Sequence, residues 1–331
     1  MPNMLVTGGA GFIGSHVAER LIEEFPEAGV TIFDKMTYSA DQENLAGILK
    51  RGQRRLVVGD VCDFDMCNRL TRGIDWVVHL AAESHVDNAF GNSLQFTRSN
   101  VLGTHTLLEA CRLNAVPLVI HVSTDEVYGE IREGAFDEEN ILNPTNPYSA
   151  SKASAEMIVN SYRYSFKLPI ITVRANNIFG IRQYPEKIIP KFCVQALAGR
   201  MLTVHGNGEN RRHYLAVEDF ADALVLLLRK GQVGEIYNVG TDEEYSNLEI
   251  AEMICGYFGK NVKDNMEFVA DRAFNDIRYA TDSSKISSLG WRPRRFLKDH
   301  IGEIAEWYRA NLHRYIDLFK AWSEQRSEIA V

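Results

Sequence analysis

No stretch of this 331-residue sequence reaches 18 uninterrupted apolar residues, and no basic segment followed by an apolar one precedes the first strand-like run after Met-Pro-Asn. A membrane helix and a cleaved leader are therefore not expected, and the chain reads as a soluble protein. An excess of positive charge is also missing, because 36 lysines and arginines face 44 aspartates and glutamates, a net charge of -8 at pH 7. No general field would attract nucleic acid or an anionic membrane surface. Any anionic ligand must be met by local arginines. Cysteine is sparse, five residues without a C-x-x-C pair, so neither a disulfide framework nor a metal site is indicated, and a reducing cytoplasm is the expected location. Repeats and low-complexity tracts are absent, and proline and glycine are scattered, which argues against a flexible linker.

What is present is enough apolar material, 45% of residues, for one large α/β domain or two lobes sharing a cleft. Strand-like and helix-like segments alternate through the first half: MLVTG, GFIGSHVAERLIEEF, VTIFD, RRLVVGD, a short helix near DMCNRL, WVVHLAA, a long helical pattern from about 93 to 114, PLVIHVS, a second long helix from Tyr148 to Phe166, and PIITVRA. Near-continuous Val, Ile and Leu strands spaced by helices predict a parallel sheet covered on both faces. After NNIFG the rhythm breaks into shorter elements, with a helix at VEDFADALVLLL and a strand at EIYNVG. The expected architecture is α/β: a doubly wound, Rossmann-type parallel sheet over residues 1–178. A smaller substrate domain over residues 179–331 follows, some of whose strands return to the first. The last dozen residues, polar with charges of both signs, are expected to fray.

TGGAGFIG places Gly8, Gly11 and Gly14 after the first strand and at the opening of the first helix. There glycines let the backbone approach a pyrophosphate; the competing explanation is a tight strand-to-helix turn. Asp34 ends the second strand 20 residues past Gly14, where a carboxylate would bond the ribose hydroxyls of NAD and repel a 2′-phosphate. Phe12 and Ile13 inside the turn, and Lys35 and Thr37 just past Asp34, are assigned to the same pocket. So are the strand ends Gly59-Asp60-Val61 and Leu80-Ala81-Ala82 with Ser84. Asp60 could meet the adenine or cap a helix, and the two alanines could serve close packing or a cofactor backbone.

NPYSASKASAE sets Tyr148 and Lys152 four apart, on one face of a helix, with the ammonium able to lower the phenol's pKa. Such a tyrosine is a general base. TGGAGFIG, Asp34, HLAA, the Ser-Thr of VSTDEVYG and YSASK together resemble the extended short-chain dehydrogenase/reductase family, in its order and over nearly the whole chain. The resemblance implies a Rossmann-type domain binding NAD and a smaller domain binding a nucleotide-sugar. Within that family the triplet Thr124-Asp125-Glu126 resembles the NDP-glucose 4,6-dehydratases, those of dTDP-glucose above all. AAESHVDNA, NNIFGIRQYPEKIIPKF and NDIRYATD look like the segments that surround the sugar in such enzymes.

The dehydratase resemblance gives each residue a role. Tyr148 takes the C4 hydroxyl proton as C4 is oxidised, with Thr124 on the same oxygen and Lys152 holding phenolate and ribose. Glu126 then abstracts the C5 proton and a protonated Asp125 donates to the departing C6 hydroxyl, a split that mutual repulsion between neighbouring carboxyls favours. The structural alternative is a turn in which Asp125 caps a helix and Glu126 is solvated. Arg212 and Arg278 match the family positions that clamp the pyrophosphate, with Arg211 as a neighbouring candidate. Ser84, Thr124, Asn177, Glu186, Lys187 and Asn275 resemble positions lining the sugar and nucleotide. Phe179 and Ile181 depart from the usual NNxYGP pattern, and VRANNIFG, with Arg174, looks closer to plant UDP-glucose dehydratase domains. The substrate is therefore expected to be dTDP-glucose first and UDP-glucose second. A 4-epimerase, a dehydratase of an N-acetylated hexosamine and a nucleotide-sugar-sensing protein are the alternatives. The two long helices are apolar on more than one face, and the family resemblance implies that such helices pair across a homodimer interface.

Overall fold

The computed structural model describes residues 1–50, 54–271, 274–315 and 318; the expected fraying of the last dozen residues lies outside them. The chain forms strands β1 (Asn3–Thr7), β2 (Gly29–Asp34), β3 (Arg54–Val58), β4 (Trp76–His79), β5 (Leu118–Thr124), β6 (Ile170–Ala175), β7 (Asn177–Phe179), β8 (Leu202–His205), β9 (Arg211–Ala216), β10 (Ile236–Val239), β11 (Glu244–Ser246) and β12 (Met266–Val269). Seven of them make one sheet in the order β10-β6-β5-β4-β1-β2-β3, with every pairing parallel. Strand order reverses between β1 and β4. A crevice opens at such a reversal, outside the carboxyl ends of the strands.

Helices cover both faces, which is why the central strands are apolar at nearly every position. All seven residues of β5 and all six of β6 are buried. One face packs against the helices Phe12–Glu24 and Val217–Lys230, through Val17, Leu21, Phe220 and Leu224. The other packs against Phe64–Leu70, Gly103–Leu113 and Pro147–Phe166, through Cys67, Leu107, Leu108, Val159 and Tyr162. Ile120 is fully buried on the first face, so Ile120→Ala is expected to cost about 2–5 kcal/mol.

A separate core gathers the helices Ile188–Leu197, Asn247–Tyr257 and Leu297–Ala310 around β8 and β9, with Phe192, Leu202, Ile250 and Ile304 at its centre. Two small sheets, β11-β9-β7 and β12-β8, support it. The chain crosses between the two cores more than once, because the helix Val217–Lys230 and β10 lie in the large layer.

The first long helical pattern differs in one respect from a uniform helix. Residues Thr97–Leu102 form a π-helical stretch between the α-helices Ser93–Phe96 and Gly103–Leu113. The extra residue in that turn directs Asn100 inward, where its amide nitrogen donates to Glu83 O (3.0 Å) and Ser151 Oγ (2.8 Å) and its oxygen accepts from Glu83 N (2.8 Å). Hydrophobic periodicity carries no trace of a one-residue bulge.

Candidate active site

A cavity of about 420 Å³ lies across the carboxyl edge of the sheet and reaches the smaller core. At one end is the glycine turn. Gly8 has φ 69°, and a Cβ on it would stand 2.8 Å from the Ala81 backbone; a Cβ on Gly14 would stand 2.1 Å from the Gly8 carbonyl oxygen. The turn itself requires both. Gly11 differs, since a Cβ there would meet only the Gly8 oxygen at 3.4 Å. Its bareness preserves open space above the N-terminus of the helix Phe12–Glu24, where no side-chain cap occupies the free N–H groups. That is a seat for phosphate.

Asp34 closes this end. Its Oδ2 accepts from Ala10 N at 2.9 Å and its Oδ1 from Met36 N at 2.8 Å, one bond per oxygen, so each keeps capacity for a hydroxyl. Asp60 accepts from Cys62 N at 2.9 Å and pairs with Lys35 Nζ at 2.9 Å. Burial opposes its ionisation, yet those two partners hold its carboxyl below the ordinary value. The cap of the helix Phe64–Leu70 is Asp63, not Asp60. The helix-cap explanation for Asp60 therefore does not apply.

At the centre of the cavity β5 runs into a short 3₁₀ turn, Asp125–Tyr128, capped by Thr124, whose Oγ1 accepts from Glu126 N at 3.3 Å. Asp125 is 3% exposed and does not line the cavity. Its oxygens bond the Asn176 amide nitrogen (2.9 Å) and the Thr124 hydroxyl (3.2 Å). Burial, then the Glu126 charge, pushes its carboxyl up to about 7. Glu126 does line the cavity. Burial raises its pKa and Asp276 adds to the rise, while Arg212, Lys187 and a 3.2 Å bond from the Asn146 amide nitrogen counter it. Neither the helix-cap role for Asp125 nor a solvated Glu126 describes this turn.

Tyr148 and Lys152 face the same space from the helix Pro147–Phe166. Lys152 Nζ donates to Val122 O at 2.7 Å, and burial lowers its pKa to about 8. Burial, then Glu126, raises the Tyr148 phenol, and a hydrogen bond with Thr124 pulls the other way. The expected lowering by Lys152 is not found: the ammonium is turned to the Val122 carbonyl, and the charges acting on the phenol are the carboxylates of Glu126 and Asp125.

The far end carries Arg212, which donates to Arg211 O (2.7 Å) and Asp276 O (2.9 Å) and stacks 4.6 Å from the Tyr279 ring centre. Ser84, Asn177, Glu186, Lys187 and Asn275 join it on the wall, as do Phe12, Ile13, Thr37, Val61, Leu80, Ala81 and Ala82 towards the glycine end. Arg278 is not brought to the cavity. Its guanidinium donates to Glu244 Oε1 (2.6 Å) and Gly134 O (3.0 Å), and Arg211 pairs with Glu244 and Glu249. Among the described residues, no group of three or more His, Cys, Asp or Glu could hold a metal ion, and no helix is long and apolar enough to cross a membrane.

Four residues at the centre were not singled out from sequence: Asn146, Asn176, Asp276 and Tyr279. Asn146 had a legible signal, an asparagine directly before a proline at a helix start. Asp276 had none, since its bond from Thr145 Oγ1 at 2.8 Å crosses from a distant segment, and only the contact with Tyr279 is local.

A family model described as GDP-mannose 4,6 dehydratase matches residues 5–304. A trifunctional UDP-glucose 4,6-dehydratase/UDP-4-keto-6-deoxy-D-glucose 3,5-epimerase/UDP-4-keto-L-rhamnose-reductase of Arabidopsis thaliana is 47% identical over 315 residues, 93% of this chain and 47% of that protein. The chain spans about half the length of this relative and of two similar ones from the same plant. The human dTDP-D-glucose 4,6-dehydratase is 42% identical over 325 residues, 96% of this chain and 93% of that one. Among solved structures, the dTDP-glucose 4,6-dehydratase of Streptomyces venezuelae, solved with NAD bound, superposes with a TM-score of 0.91 at 38% identity. That match covers 93% of this chain and 97% of the other.

Proposed function

The chain belongs to the GDP-mannose 4,6 dehydratase family, and from that premise we propose that it is an NAD-dependent NDP-glucose 4,6-dehydratase. The observation that carries this reading is that Glu126, Thr124, Tyr148 and Lys152 meet at the centre of one cavity, with Asp125 directly behind the wall and bonded to Thr124. An oxidation at a sugar carbon needs only the second group of residues. A carboxyl pair split in acidity serves an elimination.

The residues present suit NAD, for Gly11 leaves the helix N-terminus open and Asp34 retains acceptors for a ribose diol while repelling a 2′-phosphate. When bound, NAD supplies the two-electron acceptor for C4 and donor for C6. Tyr148 would act as the phenolate, a form that the cationic nicotinamide of bound NAD would favour against the burial and Glu126 charge that raise the phenol; with Thr124 on the same oxygen it takes the C4 hydroxyl proton, and the resulting ketone acidifies the C5 hydrogen. Glu126 faces the cavity as a carboxylate of raised basicity and removes the C5 proton. Asp125, at about 7, holds a proton through much of the neutral range and delivers it to the C6 oxygen, which leaves as water. Because Asp125 sits behind the wall, its proton passes by rotation away from Asn176 or through the Thr124 hydroxyl it bonds. A proton then returns to C5 as C6 is reduced, giving a 4-keto-6-deoxy sugar. Arg212 and Lys187 meet the diphosphate. Residues 1–178 serve the cofactor, and residues 179–331, of which β10 returns to the large sheet, mainly serve the nucleotide-sugar.

dTDP-glucose is the first choice of substrate, supported by the human and Streptomyces relatives. UDP-glucose is favoured by Phe179, Ile181 and the plant relative. The working form is a cytoplasmic homodimer. In support, the helical segments 93–113 and 147–166 leave Leu94, Leu102, Met157, Tyr164 and Phe166 exposed, and all five cysteines are free. Incubation with NAD and either dTDP-glucose, UDP-glucose or UDP-N-acetylglucosamine, followed by the alkaline absorbance of a 4-keto product, tests the reading. Product from one of the two glucose donors is expected. Turnover of the hexosamine alone, or C4 inversion without loss of water, would overturn it.

A further inference from the structure

Asn146 occupies an unusual junction. Its Oδ1 accepts from Ser149 N at 2.9 Å, and the Ser149 hydroxyl contacts the Asn146 N–H at 3.2 Å, so the residue caps the helix Pro147–Phe166. Its Nδ2 faces the other way and donates to Glu126 Oε2 at 3.2 Å. The two contacts fix the amide's orientation, since a flip would set an oxygen against a carboxylate and an NH₂ against an N–H. The side chain is 6% exposed. Helix capping alone needs only the acceptor, and serine, threonine or aspartate supply it as well. The donor half is left unexplained by the cap.

We propose that Asn146 is a positioning residue for the elimination: its amide holds the Glu126 carboxylate in register with the helix that carries Tyr148 and Lys152. The inference rests on the functional reading above. The geometry ties base and oxidation site through one side chain, so substrate oriented by Tyr148 meets a carboxylate indexed to the same helix end. The other groups facing Glu126 come from different elements: Arg212 on β9, Lys187 before the helix Ile188–Leu197, Asp276 and Tyr279 from the segment after 274, with Asp125 and Tyr148 as neighbours. Lys187 and Arg212 also bond carbonyls, of Ser84 and Asp276. Asn146 is the neutral donor among them, and it favours the ionised base without adding charge.

Three substitutions separate positioning from capping. Asn146→Ser keeps a cap acceptor but is too short to reach Glu126; Asn146→Asp keeps the cap and sets a like charge against Glu126; Asn146→Ala loses both. Thermal melting and the pH profile of 4-keto product formation are measured on each, with wild type alongside on dTDP-glucose and UDP-glucose. Asn146→Ser and Asn146→Asp are expected to melt close to wild type and Asn146→Ala lower. The acid limb of kcat should rise by about one pH unit in Asn146→Ser and more in Asn146→Asp. At neutral pH kcat should fall about tenfold or more while KM changes less than about threefold. Profiles of Asn146→Ser and Asn146→Asp that overlay an active wild type would leave Asn146 a cap alone and overturn the proposal. Absence of product from wild type with every donor would instead refute the functional reading.

Discussion

Glu126→Gln is the substitution that most directly examines the division of labour at the cavity, because it preserves shape while removing one charge. Glutamine can still accept the 3.2 Å bond from Asn146, so the fold around it should persist. What it loses, under the proposed mechanism, is proton abstraction from C5. A positioned general base is worth about 10²–10⁴-fold, equivalent to about 3–5 kcal/mol of barrier, and kcat should fall by that factor. KM should change by less than about threefold, since the proposed anion site is Arg212 and Lys187 instead. Two side effects follow from the same electrostatics. The Glu126 charge is the second cause of the rise in Asp125, after burial, and likewise in Tyr148, so both groups should become more acidic. The assay is proton exchange at C5 in D₂O, followed by NMR, together with transfer of deuterium from C4 to C6. Wild type should exchange C5 and deliver label to C6; Glu126→Gln should do neither at a comparable rate. Exchange at C5 at the wild-type rate in Glu126→Gln would refute the assignment of Glu126 as the base.

Asp125→Asn should keep C5 exchange and slow loss of water, because an amide is a poor proton donor. It also makes a stability prediction whose sign is fixed. The folded carboxyl at about 7 lies above its ordinary 3.8, so wild type carries the full stability below about pH 4 and loses on the order of 4 kcal/mol as pH rises through 7. Asp125→Asn should therefore melt higher relative to wild type at pH 8 than at pH 4; a difference independent of pH would count against the buried, protonated Asp125. Arg212→Ala should raise KM about tenfold or more with kcat less affected. Arg278→Ala, whose guanidinium is held by Glu244 and Gly134, should raise it less, and equal losses measured by calorimetry with dTDP or UDP would bring Arg278 into the anion site. Leu94→Glu combined with Tyr164→Glu should convert a dimer to monomer in light scattering, since both side chains are exposed, 79% and 64%; an unchanged mass would move the interface elsewhere.

Much of this arrangement was legible in the chain because it depends on local rules. The βαβ rhythm follows from strand hydrophobicity and helix periodicity, and the glycine turn and Asp34 sit at fixed offsets from strand ends. The residues of TDE and YSASK are likewise consecutive or one helical turn apart. What escaped depends on contacts between distant segments. Asp276 reaches the site only because its loop docks on Thr145, 131 positions away. Asn176 belongs to the segment after β6 and meets Asp125 only when β5 and β6 pair. The match to a family position points Arg278 at the anion site, but its side chain turns outward to Glu244 while the adjacent Tyr279 lines the cavity.

The geometry of the 3₁₀ turn explains why two adjacent carboxyls come to differ. At three residues per turn, successive side chains project about 120° apart, and positions three apart eclipse. Asp125 and Tyr128 therefore share a direction, inward. Tyr128 is 1% exposed and is fixed there by Arg174 Nη1 at 2.7 Å and by Asn238 at 2.8 Å, while Arg174 itself is paired with Glu156 of the Tyr148 helix at 2.7 Å. With Tyr128 anchored, the turn cannot rotate, and Asp125 is committed to the side of Asn176 that water does not reach. Glu126, one step on, is committed to the cavity, within reach of Asn146, Arg212 and Lys187. Burial and the neighbouring Glu126 charge, only partly countered by Asn176, Arg212 and Thr124, push the first up to about 7; on the second, which faces the cavity, Arg212, Lys187 and the Asn146 amide counter the effect of burial. The acid and the base are thus assigned by the screw of one short turn and the tyrosine at its end.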